Sequence, residues 1–523
     1  MRHGTESVVP PDDGSDCRGA SPRGSAGRPG AVRCSPVPTS SPRPVERPDR
    51  RALTSAQRRA VGELLRVAPV VDELGERFRA AGHELHLVGG SVRDALMGRL
   101  HDDLDFATDA RPEQIDAVTA GWAEARWDTG ATFGTIGVQR GGYRLEITTY
   151  RSEVYRHDSR NPQVRFGDSL DDDLVRRDFT VNAMAVSLPE HRFVDPFGGI
   201  ADLVARRLRT PGAAEDSFAD DPLRMLRAAR FAAQLGFEVA PEVVAAMTAM
   251  AQRLEIVTAE RVQGELTKLL LAPEPRRGLE LMVATGVAEY VLPELPRLRM
   301  ETDPLHHHKD VYQHSLAVLD RAIALEPAGA DLTLRMAALL HDIGKPRTRR
   351  FEPGGGVSFH HHEVVGRDMA RARLKALRYP NAFVDDVCRL IELHLRFYGY
   401  GKGEWTDSAV RRYVRDAGDV LDRLHLLVRS DCTTRNRRKA VAQEQAYRDL
   451  EARIDRLAEE EELARIRPDL DGNEIMALLG IRPGPLVGKA YQHLLELRME
   501  HGPLGHDRAV EELRRWAEQQ GVG

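Results

Sequence analysis

LVGGSVRDALMGRLHDDLDFATDA, residues Leu87–Ala110, decides how the rest of the chain is read. Gly89-Gly90 follows an apolar run (Leu85, Leu87, Val88), so the spacing predicts a strand ending in a turn where backbone can approach a phosphate. Ser91 to Met97 reads as one or two helical turns, with Ser91 as cap and Arg93 projecting near the turn. After Gly98 the chain returns as a second strand, Leu104-Asp105-Phe106, and Asp103 and Asp105, two apart, face one side of the pleat. Two adjacent carboxylates repel unless something neutralises them, and a divalent cation holding a triphosphate would do so. A plain glycine turn beside an exposed acidic edge is the alternative. It suits a lone GG or DxD better than the two joined by an Arg-Asp helix.

Around this segment, residues 83–205 alternate short strands and helices. Strands are expected at His83–Val88, Leu104–Ala107, Phe133–Arg140, Tyr143–Tyr150 and Arg192–Asp195, and Gly141-Gly142 between two β-rich runs signals a hairpin. Glu146 lies inside the hairpin's second strand, LEITTYR, where an acidic side chain needs a partner. A metal shared with Asp103 and Asp105 and an arginine are equally good candidates. The polar stretch 151–175 reads as a functional loop, leading into RRDFTVNAMA (Arg176, Arg177, Asp178) and DPFGGIADL. Upstream, Val61, Leu64, Leu65, Val70, Leu74 and Phe78 follow helical spacing.

Phe218–Phe237, FADDPLRMLRAARFAAQLGF, is expected to be one helix, capped by Asp220 or Asp221, with Pro222 in its first turn and Gly236 at its end. Asp221, Arg224, Arg227 and Arg230 recur every third residue and fan across about half of the helix circumference. That arrangement suits reading a base and gripping a triphosphate; a solvated arginine face is the simpler alternative. From 238 to 305 the pattern is helical.

Histidine use changes after 305. His314 sits on an amphipathic helix, and His341-Asp342 end an apolar one that stops at Gly344 and Pro346. His360, His361, His362, His394 and Asp431 follow. Adjacent His-Asp at the buried end of a helix needs partners, and further donors on separate helices make a metal site the simplest account. After about 440 the chain returns to charged helices and ends in a helical tail.

With 523 residues the chain exceeds one core, suggesting roughly three to four domains. Residues 1–50 are rich in Pro, Ser, Gly and Arg without apolar periodicity and read as a disordered tail. A net charge of −5 means any attraction to RNA must come from local arginine patches. Four cysteines without a CxxC pair suit a reducing cytoplasm. The absence of an apolar run of about 18 residues argues against a membrane span, and no apolar signal core opens the chain.

LVGGSVRDALMGR with DLDFATDA, then RRDFTVNAMA, DPFGGIADL and ADDPLRMLRAARF, closely resembles the class II tRNA nucleotidyltransferase and bacterial poly(A) polymerase family over about residues 80–270. The resemblance implies an α+β chain: a polymerase-β-like nucleotidyltransferase head with a mixed sheet at 51–205, then an all-α neck and body at 206–305. The histidine-rich region, 306–440, resembles an HD phosphohydrolase domain, and 441–523 would be a helical RNA-binding tail. The implied activity is template-independent addition of CMP, CMP and AMP to a tRNA 3′ end from CTP and ATP, in the cytoplasm, with neither membrane nor DNA as partner.

By the same resemblance, Asp103 and Asp105 would hold catalytic Mg²⁺, with Glu146 as third carboxylate. Gly90, Arg93 and Arg177 would contact the nucleotide, Asp221 and Arg224 its base, and Arg227 and Arg230 its phosphates. The family's Glu-Asp pair reads Asp220-Asp221 here. His314, His341, Asp342 and Asp431 match a minimal HD metal set, and His362 and His394 a pair admitting a second metal bridged by Asp342. That ion would be a divalent transition metal or Mg²⁺, and His361 could replace His362 if the register shifts by one. A poly(A) polymerase is the nearest competitor, but its G-R-R-F-type strand is missing from GTIGVQRGGYRLEITTYR. The loop at 151–175 argues against an enzyme adding only CC. A phosphohydrolase with a weak head is the competitor from another class; a non-enzymatic RNA-binding protein would leave both carboxylate clusters unexplained.

Overall fold

Alternating apolar and polar residues between 85 and 194 build one seven-stranded sheet. In the computed structural model its strands are β1 (Leu85–Val88), β2 (Asp103–Thr108), β3 (Ala125–Gly130), β4 (Thr135–Arg140), β5 (Tyr143–Thr149), β6 (Ala185–Leu188) and β7 (Arg192–Val194). Their order is β3-β4-β5-β2-β1-β6-β7. Only β2 and β5 pair in parallel; every other neighbouring pair is antiparallel. The structure describes residue 62 and residues 69–99, 102–130, 134–151, 166–167, 169–300, 310–353, 356–400, 405–432, 437–461 and 467–522, all in one compact unit, Pro48–Gly523. The expectations for residues 1–50 and for most of the loop at 151–175 lie outside these.

The Gly141-Gly142 hairpin forms as expected, with φ of 57° and 86°, backbone that two-residue turns need and glycine adopts freely. Two strands of this sheet had escaped the sequence reading. β6 is central, flanked by β1 and β7, and its run AVSL is buried throughout, so it shows no alternation. β3 is an edge strand of mostly polar residues, ARWDTG, without an apolar signature.

One sheet face makes the head's core. Leu85, Leu87, Leu104, Phe106, Ile136, Val138, Leu145 and Ile147 pack there with Val71, Leu74 and Phe78 from helix Pro69–Ala80 and with Ile115. The other face carries Asp103, Asp105 and Glu146. Part of it is covered by helix Leu170–Val175, whose Leu174 joins Val88, Ala107, Tyr150 and Ala185.

On that covered part His86 Nδ1 lies 2.7 Å from the Tyr150 hydroxyl. Burial, with Arg192 adding to it, lowers the His86 pKa from 6.5 to about 4. A base whose folded pKa is depressed contributes stability that is complete above 6.5 and is lost as pH falls toward 4. At about 1.4 kcal/mol per unit, the loss reaches roughly 3 kcal/mol at the acid end. Urea titrations of wild type and His86→Asn between pH 7 and 4 should therefore converge; parallel curves would contradict this account.

Phe218–Phe237 is not one helix. Helix Ala214–Asp220 ends, Asp221 is extended at φ −142° and ψ 101°, and a new helix, Leu223–Leu235, starts after Pro222. The ring of Pro222 disfavours helical backbone at the residue before it, which breaks the run. Asp221 Oδ1 still accepts from Leu223 N at 3.1 Å, and Gly236 ends the second helix in left-handed backbone, as expected. Ser91, too, is not a cap: helix α1 (Gly90–Leu96) begins one residue earlier, after Gly89.

From Phe179 to Leu457 the apolar side chains form one continuous core, so neck, body and histidine-rich region share their packing. A separate small core, including Leu470, Ile475, Leu494, Leu513 and Trp516, holds the tail helices together. Among the described residues no helix is long and apolar enough to cross a membrane.

Candidate active site and metal centre

Strand register assembles the first site. β2 and β5 run in parallel with Asp103 beside Arg144 and Asp105 beside Glu146, so the three carboxylates share one open face. Asp105 N donates to Ser91 Oγ at 3.0 Å, which ties α1 to the acidic strand and gives Ser91 its actual role. The Asp105 carboxyl is pushed above its ordinary pKa: surrounding protein hinders its hydration although the side chain opens to the surface, and Glu146 and Asp103 add to that. Arg177 and Arg93 oppose the rise. Such a group favours any cation that lets it ionise.

Gly89 (φ 69°) shows why glycine is required before α1: a Cβ there would lie 2.6 Å from Arg177 Nη1. Arg177 thus rests on the turn and also donates to Asp173 at 3.1 Å. Arg93 is buried, donating to both Asp94 oxygens at 2.8 Å and to Asn182, with its guanidinium 5.3 Å from the Phe231 ring. Gly90 is 3.6 Å from Arg93 Nη2 if given a Cβ.

Phe231 belongs to helix α2 (Leu223–Leu235), which the Asp178–Arg227 ion pair straps to the head. Asp178 is buried and accepts from Arg227 Nε at 2.8 Å and Nη2 at 2.6 Å, while its other oxygen accepts from Asn182. Burial alone would raise the Asp178 carboxyl, but Arg227 and Asn182 hold it well below the usual range. Arg230 pairs with Glu265 of helix α3 (Ala259–Leu270) at 2.5 Å. Arg224 donates to Ser217 and to the carbonyl of Arg176, and Asp221 accepts from Arg261 at 2.7 Å. Asp220 ends the preceding helix, half-buried. Asp178 is the residue that sequence reasoning passed over, although it stood quoted in RRDFTVNAMA. Asp178→Ala should cost about 3 kcal/mol in urea unfolding, the low end for a broken buried pair because Arg227 is partly exposed; a loss within ~0.5 kcal/mol would contradict the strap.

The second site forms where five helices converge. His314 lies on α4 (Val311–Leu325), His341 ends α5 (Leu332–Leu340), and His362 opens α6 (His362–Ala376). His394 ends α7 (Asn381–Leu393), and Asp431 is the last residue of α8 (Leu421–Asp431). Gly344 makes the approach of α6 possible: a Cβ there would lie 2.1 Å from the carbonyl oxygen of His362. All six expected donors come together, as two groups whose ligand atoms lie within 4.8 Å of one another: His314, His341 and Asp431, then Asp342, His362 and His394. His361 does not replace His362; its side chain is 84% exposed and it occupies the left-handed cap before α6. The head carboxylates are not drawn that close, so the register alone makes them neighbours.

The orientation of the rings is that of metal ligands. The Nδ1 atoms of His341, His362 and His394 lie 2.9, 2.8 and 2.6 Å from the carbonyls of Ala338, Phe359 and Ile391. That fixes the tautomer and turns Nε2 inward. Nε2 of His341 and of His362 is buried without a well-directed hydrogen bond, although Asp342 oxygens stand 3.3 and 3.2 Å away. Burial would lower the His341 pKa, but Asp342 and Asp431 raise it to about 10; His394, buried facing His341, is lowered to about 4. The carboxylates thus draw positive charge into the cluster, and Lys345 supplies some, 2.6 Å from Asp342. The donor set fits a divalent ion.

Comparison with known proteins gives three family models in chain order: the poly A polymerase head domain at residues 85–209, the probable RNA and SrmB-binding site of polymerase A at 236–298, and the HD domain at 311–434. The chain is 37% identical to the A-adding tRNA nucleotidyltransferase of Deinococcus radiodurans over 83% of its own length and 95% of the relative's. It is 34% identical to the CC-adding tRNA nucleotidyltransferase of Thermus thermophilus, covering 79% and 89%. With the CCA-adding enzyme of Levilactobacillus brevis identity rises to 44%, over 41% of this chain and 53% of the relative. The crystal structure of the Bacillus stearothermophilus CCA-adding enzyme in complex with CTP shares the fold, with a TM-score of 0.62 and 24% identity over 90% of this chain and 99% of that one.

Proposed function

The chain belongs to the tRNA nucleotidyltransferase and poly(A) polymerase family, and from that premise we propose that it is a CCA-adding tRNA nucleotidyltransferase with a second, hydrolytic site. The observation that carries the first part is the register of Asp105 beside Glu146, with Asp103 on the same face, next to a turn that accepts no side chain at Gly89. In this reading Asp103, Asp105 and Glu146 hold Mg²⁺, which would lower the pKa of the RNA 3′-hydroxyl and neutralise the leaving pyrophosphate. The 3′-oxygen bonds to the α-phosphorus as the bond to pyrophosphate breaks. Arg177, resting on the turn, grips the triphosphate. Arg93 and Gly90 shape the turn from beneath, and Arg227 and Arg230, whose charges Asp178 and Glu265 compensate, reach phosphates only by sharing their guanidinium donors with these carboxylates.

Base selection falls to Asp221 and Arg224. Arginine donates where cytosine O2 and N3 accept, and the aspartate accepts from the C4 amine. Asp221 is engaged by Arg261 and Arg224 by Ser217 and the Arg176 carbonyl, so pairing with a base exchanges these bonds for bonds to the nucleotide. Asp220, a methylene shorter than the family's glutamate, is left without a part.

The HD centre is read as a phosphatase or phosphodiesterase acting on RNA ends. A divalent transition metal or Mg²⁺ held by His314, His341, Asp342, His362, His394 and Asp431 would activate water there. The protein's own share is to turn Nε2 of His341 and His362 inward toward Asp342 and to keep Lys345 beside that carboxylate, where it can meet a phosphate. A cytoplasmic setting, where tRNA and nucleoside triphosphates meet, belongs to the same reading.

A tRNA lacking its 3′ end, given CTP and ATP, should gain CMP twice and then AMP once. Long A tails on unrelated RNA would favour a poly(A) polymerase instead. A narrower second reading, a partial enzyme, also has an observation behind it: the A-adding and CC-adding relatives match over 83% and 79% of this chain, whereas the CCA-adding one matches over 41%. Addition of AMP alone, and only to tRNA already ending in CC, would select the A-adding form, and products that stop at CC the other.

A further inference from the structure

The open face that carries Asp105 also carries an aromatic ring with no part in the reading above. Pairing register lines up Trp127 on β3, Gly137 on β4, Glu146 on β5 and Asp105 on β2 in a single row across the sheet. Residues paired directly across strands project from the same face, so this row opposes the core residues Ile136, Val138 and Leu145. Gly137 makes room for the ring: a Cβ there would lie 2.0 Å from Trp127 Nε1 and 2.1 Å from Cε2. The indole therefore covers the backbone of β4, half-buried, on the side of Glu146 away from β2. Arg144, two residues before Glu146 and on the same face, lies over the ring, its guanidinium 5.3 Å from the ring centre.

Sheet order separates two neighbourhoods. Gly89 and Arg177, the proposed triphosphate grip, lie at the end of β1, on one side of Asp105; Gly137 and Trp127 lie on the other side, beyond β5. Two strand spacings put the β4 backbone about 10 Å from that of Asp105. With the incoming nucleotide on the first side, an acceptor whose 3′-hydroxyl meets the carboxylates finds room for its terminal base on this second side.

We propose that Trp127, seated on Gly137 and flanked by Arg144, is the stacking platform for the 3′-terminal base of the RNA acceptor. The proposal rests on the reading of the head as a transferase. Stacking tolerates any base because every base has a π-face, which suits an acceptor whose last base changes as nucleotides are added. Arg144 lies over the same ring, so a stacking base takes its place there and the guanidinium turns to the phosphate that follows.

In the full chain, Trp127→Ala should raise the KM for truncated tRNA by roughly tenfold or more, within the range that base–aromatic stacking supplies, and leave the KM for CTP unchanged. Trp127→Phe should restore most of the loss. Gly137→Ala, which leaves the tryptophan in place but pushes it off its seat, should raise the acceptor KM as well. Trp127→Leu, which keeps volume without a π-face, gives the same readout should the alanine variant not fold. An unchanged acceptor KM, or a rise in the KM for CTP instead, overturns the platform while the transferase reading stands. No nucleotide addition by the wild-type chain overturns both.

Discussion

Asp105→Ala should lose nucleotide addition by on the order of a thousandfold, the scale of loss when a major electrostatic group leaves a reacting centre, while the hydrolysis proposed for the second site should continue at the wild-type rate. The expectation follows from the register. Asp105 stands at the centre of the carboxylate row, between Asp103 on its own strand and Glu146 on the neighbouring one. Its carboxyl is already held above its ordinary pKa, chiefly because hydration is hindered there. In the proposed site, removing it takes away the carboxylate that stands between the other two. Folding should be untouched, since Ser91 bonds to the backbone amide of Asp105 and the side chain lies on the open face. Both activities measured on one preparation check this; a joint loss would mean that the two sites are not separable.

Asp342→Ala does the reverse. It removes the carboxylate that stands within 3.6 Å of His314, His341 and His362 and contacts Lys345, so the proposed divalent metal and phosphohydrolase activity should both be lost while CMP addition remains. Chelation of the wild-type protein should lower its melting temperature, because an ion that binds only the folded state at a hundred times its Kd stabilises it by about 2.7 kcal/mol. His361→Ala is the matched control: exposed and outside the cluster, it should retain metal and activity. Elemental analysis after gel filtration reads the difference, and full metal content in Asp342→Ala would contradict the assignment.

What could be read in the sequence, and what could not, follows from the range of the interactions. The strand–turn–helix at Leu87–Ala110 and the hairpin at Gly141-Gly142 were legible because they depend on alternation and on glycine turns, which are local. The six HD donors were legible because histidines at the ends of apolar helices are conspicuous, and helix packing brought them together. β6 was hidden because a central strand buried on both faces has no alternation, and β3 because an edge strand has little apolar signature. The break at Asp221 shows a local rule applied too weakly: Pro222 was placed inside a first turn that the residue before it does not join. Ser91 and Asp178 needed the tertiary structure, since their partners lie 14 residues away for Ser91 and 49 for Asp178. Trp127 needed the register of four strands, which no single stretch of sequence contains.

The central claim is that one open sheet face, with α2 as selector, builds a CCA end without a template. Sequencing the 3′ ends formed on tRNA truncated at the base preceding CCA, with CTP and ATP present together, tests it most directly. The account predicts a single dominant product ending in CCA from the wild-type chain and no extension from Asp105→Ala. Products that stop at CC, that carry A only where CC was already present, or that run on into A tails would contradict it.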